Sequence, residues 1–349
     1  MCWRRTDILI NMKEHNTSFS CLRGVSCLAV ILLHLSASEA LIYGSILTDT
    51  ELFTATLIYN LCMWAVPCFL MISGALLLDP EKEISISKLF RKYIYRMISA
   101  IFIWGIIYRA FDMVMDGIPL TAASLLDGMK EIYTGTGWSH LWYLYMMTGL
   151  YLLLPAFKTI TAAKNISLEK YLLLIGLLFL SFLPLTKIAG VTSGFYIPVS
   201  TVYPFYFLLG HFIHNKCIAS GRKMSLFLIG SGVIGEAAAT WFSVIRGYEI
   251  GNLTGYSSVF IIILSAGIFI LFDTAKFRSS RTVRLLQKLD SMSFQIYLIH
   301  IILIRLLLRY SGWNLFSSHP LFSYLSSYFI VLVLSCLTAY LMQKCPHRH

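Results

Sequence analysis

Long apolar runs without a charged residue are the feature that most constrains this chain. Tyr171–Phe182 and Val259–Phe272 are two such runs, and neither shows a period-two alternation. About 20 apolar residues span the hydrocarbon core of a bilayer. Backbone groups inside that core must be paired within helices or a closed barrel. Only 13% of the 349 residues are charged, against about 25% in a soluble domain. Because no alternation supports barrel strands, the sequence predicts an all-α, polytopic transmembrane helix bundle.

About ten transmembrane helices can be placed along the chain. Prolines at 184, 198 and 204 interrupt the fifth and sixth of them. An even number of spans puts both termini on the same side of the membrane. The predicted spans lie at 19–41, 52–78, 94–111, 140–157, 168–187, 199–214, 224–244, 254–273, 291–309 and 320–343.

The basic residues alternate between the connecting segments. One set of segments is rich in Lys and Arg, and the other holds only scattered charges. By the positive-inside rule the rich set faces the cytoplasm, and both termini belong to it. We therefore expect a multi-pass protein of the cell (inner or plasma) membrane, bound to membrane lipid, with cytoplasmic termini. The net charge of +11 is explained in this way, so we expect no nucleic-acid partner.

The cysteine and histidine residues do not predict a metal site. The eight cysteines include no CxxC pair, and we expect them to be reduced residues of the protein interior. His211 and His214 are three residues apart and share a helix face. A metal would need further ligands from other spans, so we expect none.

Two ionisable residues of the first span are the leading candidates for function. Arg23 and His34 are eleven residues apart, which is about three helical turns and puts both on one helix face, about 16 Å apart along the axis. Ionisable groups inside the membrane are costly and often functional. Taken singly, Arg23 could instead be an anchor at the membrane edge, and His34 a partner in an interhelical hydrogen bond.

Several motifs resemble the acyltransferase-3 family of integral membrane proteins, and they occur in the family's order. Leu22-Arg23-Gly24 with His34 is similar to its Arg-x10-His signature. Val66–Gly74 is similar to its second-helix motif, and Lys88–Arg96 to its basic segment before the third helix. His140–Leu144 and Tyr151–Pro155 are similar to its His-Leu-Trp helix, and Ser293–His300 to its late Tyr-Leu-x-His helix.

The resemblance implies transfer of an acyl group from a cytoplasmic donor, acyl-CoA (acetyl-CoA), to a hydroxyl outside the cytoplasm. The acceptor would be a carbohydrate or a lipid-linked sugar. It also implies a transmembrane acyltransferase domain at 19–343 between cytoplasmic tails at 1–18 and 344–349. His34 is then the candidate general base, or a nucleophile that carries the acyl group. Arg23 and His300 are the further catalytic candidates.

The basic segment before the third span is the candidate donor site. Lys88, Lys92 and Arg96 recur at i, i+4 and i+8, and Arg91 lies beside them. If the segment is α-helical, this spacing forms one stripe, and such groups suit the phosphates of CoA. The stripe could equally follow from the positive-inside rule and contact anionic lipid.

The acceptor side is predicted around the start of the fourth span. His140, Trp142 and Trp138 could stack on a sugar and contact its hydroxyls, or they could belong to an aromatic belt at the membrane interface. The preceding segment Asp112–Ser139 is predicted to be a loop that covers this face.

Two other functional classes remain open from the sequence. A transporter or flippase of a small polar molecule or polysaccharide would also place Arg23 and His34 along a buried path. A scaffold or sensor would have no need for the two residues to be paired.

Overall fold

The computed structural model describes residues 2–215, 221–246, 253–277, 279–316 and 319–344, and most side chains from residue 17 onward. Within these ranges the chain forms helices and no strand, which confirms the all-α prediction. The α-helices are α1 Cys2–Tyr43, α2 Asp49–Cys62, α3 Ala65–Leu77, α4 Ile86–Lys88, α5 Tyr95–Met115, α6 Ala122–Thr134, α7 Trp142–Ala162, α8 Ile166–Leu177, α9 Tyr203–His214, α10 Arg222–Arg246, α11 Val259–Thr274, α12 Arg281–Arg305 and α13 Pro320–Lys344.

A helix overlaps each of the ten predicted spans, but the count of ten is not confirmed. In the described part of the chain, seven helical stretches are long and apolar enough to cross a membrane. Helix α9 has 12 residues and α11 has 16, so at 1.5 Å per residue both are shorter than the hydrocarbon core. The seven stretches are Thr17–Tyr43, Asp49–Leu77, Ile86–Met115, Ile166–Ile188, Arg222–Val244, Arg281–Tyr310 and Pro320–Lys344.

The chain divides into two compact units. The larger unit contains residues 1–76 and 166–349, and therefore α1–α3 and α8–α13. Its most extensive contacts join α10 to α11, and α1 to α12. Helices α3 and α9 cross in backbone contact, since a Cβ built on Gly74 would lie 1.8 Å from the Phe207 carbonyl oxygen, and one on Gly210 would lie 2.0 Å from that of Met71. Small residues allow such close approach between membrane helices.

The smaller unit, residues 77–165, consists of α4–α7. Helices α5 and α7 run antiparallel, because Tyr93, just before α5, packs on Tyr151 in the middle of α7, whereas Tyr108, further along α5, packs on His140, just before α7. Between α4 and α5 the segment Leu89–Ile94 is a π-helix. A π-turn holds more residues than an α-turn, so it changes which side chains share a face.

The segment predicted as a loop at Asp112–Ser139 contains α6, and the loop prediction is wrong over those residues. Thr121 and Ser124 form a reciprocal capping box at the start of α6, and Gly135 ends the helix with a positive φ of 70°. Both are ordinary helix boundary signals. They explain why a Gly- and Thr-rich stretch forms a helix here.

Candidate active site

Helices α1 and α12 of the larger unit lie side by side and run in the same direction. Arg23 pairs with Asp290, and eleven residues further along α1 the ring of His34 packs on that of His300. Beyond these, the Tyr43 hydroxyl donates a hydrogen bond to the Leu308 carbonyl oxygen at 2.8 Å. The residue numbers of the contacting pairs increase along both helices, which is why the two helices are parallel. The two candidate residues of α1 therefore each meet a polar partner on α12.

The helix pair is close because α1 has a glycine at the point of contact. A Cβ on Gly24 would lie 2.6 Å from the Leu286 carbonyl oxygen, well inside van der Waals distance. Only glycine allows the two backbones to approach this closely. Gly24 follows Arg23 directly, so the close approach of the two backbones also fixes the position along α12 at which Arg23 makes its contact.

The two histidines form the centre of this site. Their ring centroids are 5.1 Å apart and their planes are inclined at 52°, within the range of favourable aromatic pairs. The Nδ1 atom of His300 lies 3.0 Å from the Ile296 carbonyl oxygen. A carbonyl only accepts, so Nδ1 carries the proton, and in the neutral ring Nε2 is the basic nitrogen.

The two rings differ in exposure. His300 is fully buried, with 0% of its surface exposed, whereas His34 retains partial exposure. The exposed surface of this ring pair therefore belongs to His34. We assign His34 as the candidate base and His300 as a residue that positions it.

Arg23 is held by the carboxylate of Asp290, which was not predicted from the sequence. Its Nη1 lies 3.5 Å from Asp290 Oδ2, and the side chains are 28% and 17% exposed. Asp290 precedes His300 by ten residues on α12. The acid–His spacing on α12 thus nearly repeats the Arg–His spacing on α1, and this repetition is the sequence signal that could have identified Asp290.

The basic segment of the smaller unit does not form the α-helical stripe that its spacing predicts. The π-helix Leu89–Ile94 replaces the α-helix there, and it places Leu89 and Ile94, five residues apart, on the buried side. The four cationic side chains are exposed together, and they are Lys88, Arg91, Lys92 and Arg96. The positive surface is therefore present, although its arrangement is not an i, i+4, i+8 row.

Two further lysines enlarge this positive surface. The Lys158 ammonium donates hydrogen bonds to the carbonyl oxygens of Asp79 (2.8 Å) and Lys82. Burial lowers the pKa of Lys82, and repulsion from Lys88, Lys158 and Lys92 lowers it further, while Asp79 opposes the shift. Neighbouring lysines repel one another when they are protonated, and a bound anion would reduce that repulsion. This group of lysines therefore suits an anionic ligand.

The predicted acceptor-side residues lie together at the opposite end of α5 from the basic segment. Trp138 stacks on Tyr108 with centroids 4.3 Å apart, and Tyr108 shares a 3.0 Å hydrogen bond with His140 Nε2. Only 5% of Trp138 and 3% of His140 is exposed, whereas Trp142 is half-buried. Trp138 and His140 therefore have little free ring surface for a sugar, and their contacts are with the protein interior.

His211 and His214 each pair with a carboxylate of a different helix. His211 Nδ1 lies 3.2 Å from Glu169 Oε2, and His214 Nδ1 lies 2.7 Å from Asp273 Oδ1. The two pairs join α9 to α8 and to α11. Among the described residues, no group of three or more His, Cys, Asp or Glu side chains could hold a metal ion.

Comparison with known proteins supplies the class of this molecule. The model of the acyltransferase-3 family, described as an acyltransferase domain, matches residues 16–343. The match covers nearly the entire chain, so the protein belongs to that family and is an acyltransferase. With its apolar helices it is a multi-pass membrane enzyme. The curated proteins and the solved structures gave no match.

Proposed function

We propose that this enzyme transfers an acyl group, in the first instance acetyl, from cytoplasmic acyl-CoA to a hydroxyl of a carbohydrate or lipid-linked sugar outside the cytoplasm. The family supplies the reaction class, and the contact between His34 and His300 is the observation that carries the proposal. The termini and the basic segment are assigned to the cytoplasmic side, and the domain to residues 19–343.

The proposed chemistry needs one base. The acceptor hydroxyl loses its proton to His34 as its oxygen attacks the thioester carbonyl carbon. The carbon–sulfur bond then breaks, and the CoA thiolate takes the proton from His34. His300 holds the His34 ring in orientation through the ring contact. General-base assistance of this kind contributes about 10²–10⁴ in rate.

Donor binding is assigned to the positive surface of the smaller unit. CoA carries several phosphate charges, and Lys88, Arg91, Lys92 and Arg96 supply exposed cations for them. The lowered pKa of Lys82 supports this assignment, because an anion would relieve the repulsion among its neighbours. The Arg23 side chain is 28% exposed beside its long contact with Asp290, and it is a second candidate for donor contact.

The test measures release of the CoA thiol from acetyl-CoA by protein purified in lipid nanodiscs, with and without an extract of surface glycans. We expect thiol release without any sealed compartment, and we expect His34→Ala to lower it by at least about 100-fold while CoA binding persists. His319→Ala removes an exposed histidine and is the matched control. Full activity of His34→Ala would reject the base assignment.

A further inference from the structure

Helix α6 of the smaller unit carries an exposed apolar side. Its large side chains there are between 50% and 88% exposed, and they are Leu125, Leu126, Met129 and Tyr133. Met129 is four residues from Leu125 and Tyr133 and three from Leu126, so the four share one side of the helix. With 13 residues the helix is about 20 Å long, which is too short to cross the hydrocarbon core.

The two other sides of α6 differ from the apolar one. Exposed polar residues recur at spacings of three and four on the second side, and they are Asp127, Lys130 and Thr134. The third side is buried against the protein, and it consists of Ser124, Gly128 and Ile132. A helix that exposes one apolar and one polar side has the pattern of helices that lie in a membrane surface, where the first side enters lipid and the second stays in water.

Contacts with α5 orient these sides. Gly105 and Arg109 are one turn apart on α5, and Arg109 is nearer its end. Glu131, beside the polar side of α6, pairs with Arg109 at 3.3 Å. Ile132, beside the apolar side, meets Gly105, where an added Cβ would lie 2.6 Å from Ile132 Cγ1. The apolar side of α6 therefore faces the body of α5, and the polar side faces its end.

Helix α6 lies across α5. The Arg109 guanidinium donates from Nη2 to the Ser124 carbonyl oxygen at 3.1 Å and from Nη1 to Glu131 Oε1 at 3.3 Å. Ser124 and Glu131 are seven residues apart, about 10 Å along α6. Because one guanidinium meets both, this stretch of α6 crosses α5 and does not follow its axis.

The apolar side of α6 adjoins the lipid-facing surface of a membrane span. Helix α5 belongs to Ile86–Met115, which is long and apolar enough to cross a membrane. Phe102, Ile103 and Ile106 of α5 are between 45% and 57% exposed, as expected of side chains that face lipid. Ile106 directly follows Gly105, the residue that Ile132 of α6 meets. The exposed apolar surface of α5 therefore continues toward that of α6.

We propose that α6 is an interfacial helix that binds the lipid bilayer. Its apolar side lies at the boundary between headgroups and acyl chains, a depth of about 5–10 Å for such helices, and its polar side lies in water. Tyr133 is an aromatic residue of the kind enriched at that boundary, and Lys130 can extend its ammonium to the headgroups. This inference goes beyond the proposed function and does not depend on it.

The test uses wild-type protein in nanodiscs of phosphatidylcholine that carries a trifluoromethylphenyl diazirine on one acyl chain. The diazirine is placed near the carbonyl end of the chain in a shallow probe and at the chain terminus in a deep probe. After irradiation, peptide mass spectrometry locates the modified residues. We expect the shallow probe to modify Leu126 and Tyr133 at least about tenfold more than Asp127 and Thr134, and the deep probe to modify α6 less than the shallow one does.

A matched pair of variants tests the same contact. Leu126→Glu puts a charge on the apolar side and should lower shallow-probe modification of Tyr133 about tenfold, since a charge opposes entry into lipid. Ala123→Glu adds the same charge at an exposed position beside the polar side and should leave the modification of Tyr133 unchanged. Leu126 is 70% exposed, so its replacement should not disturb folding.

Three results would overturn the proposal. Equal modification of the apolar and polar sides, or stronger modification of α6 by the deep probe, would place the helix inside the hydrocarbon core. Modification of neither side would mean that lipid does not cover the helix, and a cross-link between two copies at Tyr133 would then identify a second chain as the partner. Unchanged modification of Tyr133 in Leu126→Glu would show that the apolar side does not hold α6 in the bilayer.

Discussion

His34 and His300 lie on two parallel helices with their ring centroids 5.1 Å apart, and only His34 retains exposed surface. The hydrogen bond from His300 Nδ1 to the Ile296 carbonyl oxygen fixes the buried ring to its own helix. A fixed, buried ring beside a partly exposed one is compatible with a base and its support. From this asymmetry we propose different roles for the two histidines, and mutation can separate them.

Replacing His300 tests the supporting role. His300→Phe keeps an aromatic ring beside His34 but loses the hydrogen bond to Ile296. We expect kcat to fall by about one order of magnitude, less than the loss of the base itself, with the KM for acetyl-CoA within about twofold. His300→Asn, whose amide can still donate to that carbonyl, should recover part of kcat. A KM effect without a kcat effect would instead make His300 a donor contact.

The Arg23–Asp290 pair can be examined with a double-mutant cycle. The pair is long and partly exposed, so we expect a coupling of about 1 kcal/mol or less in the free energy of unfolding. Arg23→Ala alone leaves Asp290 without its cation, and Arg23→Ala with Asp290→Asn should restore the melting temperature. If Arg23 also contacts the donor, the double variant will fold normally and still show a raised KM for acetyl-CoA. A normal KM in the double variant would confine Arg23 to a structural role.

The lowered pKa of Lys82 predicts how donor binding depends on pH. Below its pKa the lysine is protonated and attracts phosphate, and above it the amine is neutral. CoA affinity should therefore decline as the pH rises, at a pH lower than an ordinary lysine pKa of about 10.4 would give. Lys82→Arg keeps its charge to above about pH 12 and should move the decline to higher pH.

Titration calorimetry of CoA between about pH 7.5 and 10 measures this effect. Lys130→Arg is the matched control, because Lys130 is exposed on α6 at the other end of the smaller unit. A decline in affinity that is the same in wild type and Lys82→Arg would show that Lys82 does not contribute to the donor site.

Part of the candidate site could be predicted because it depends on one helix alone. The shared face of Arg23 and His34 follows from the helical repeat. Asp290 was missed, and His300 could be placed only by resemblance, because contacts between residues more than 260 positions apart depend on which helices pair. In the smaller unit, Arg109 pairs with Glu131 at 3.3 Å, and this pair was missed for a related reason: the two side chains meet only once α6 forms.

The number of spans illustrates the same limit. Helices α1 and α12 run parallel, so the chain must cross the membrane an odd number of times between them. Only four of the seven long apolar stretches lie between them. If all four cross, we expect one or three of the helices α7, α9 and α11 to cross as well, and three would give the predicted ten. Hydropathy and length alone miss such helices, because burial against protein relaxes the requirement for apolar residues.

The close approach at Gly24 gives the last prediction. Gly24→Ala puts a Cβ 2.6 Å from the Leu286 carbonyl oxygen, and a backbone atom of a packed helix cannot move aside as a side chain can. Overpacking of this kind costs about 1–3 kcal/mol, so we expect a lower melting temperature. Because the same helix pair holds His34 against His300, thiol release from acetyl-CoA should fall as well. Gly230→Ala is the matched control, since a Cβ there meets nothing within 4 Å, and alanine in a helix should be neutral or stabilising by up to about 1 kcal/mol. Equal melting temperatures and activities for the two variants would mean that α1 and α12 do not depend on this contact, and the alignment of the two histidines would need another cause.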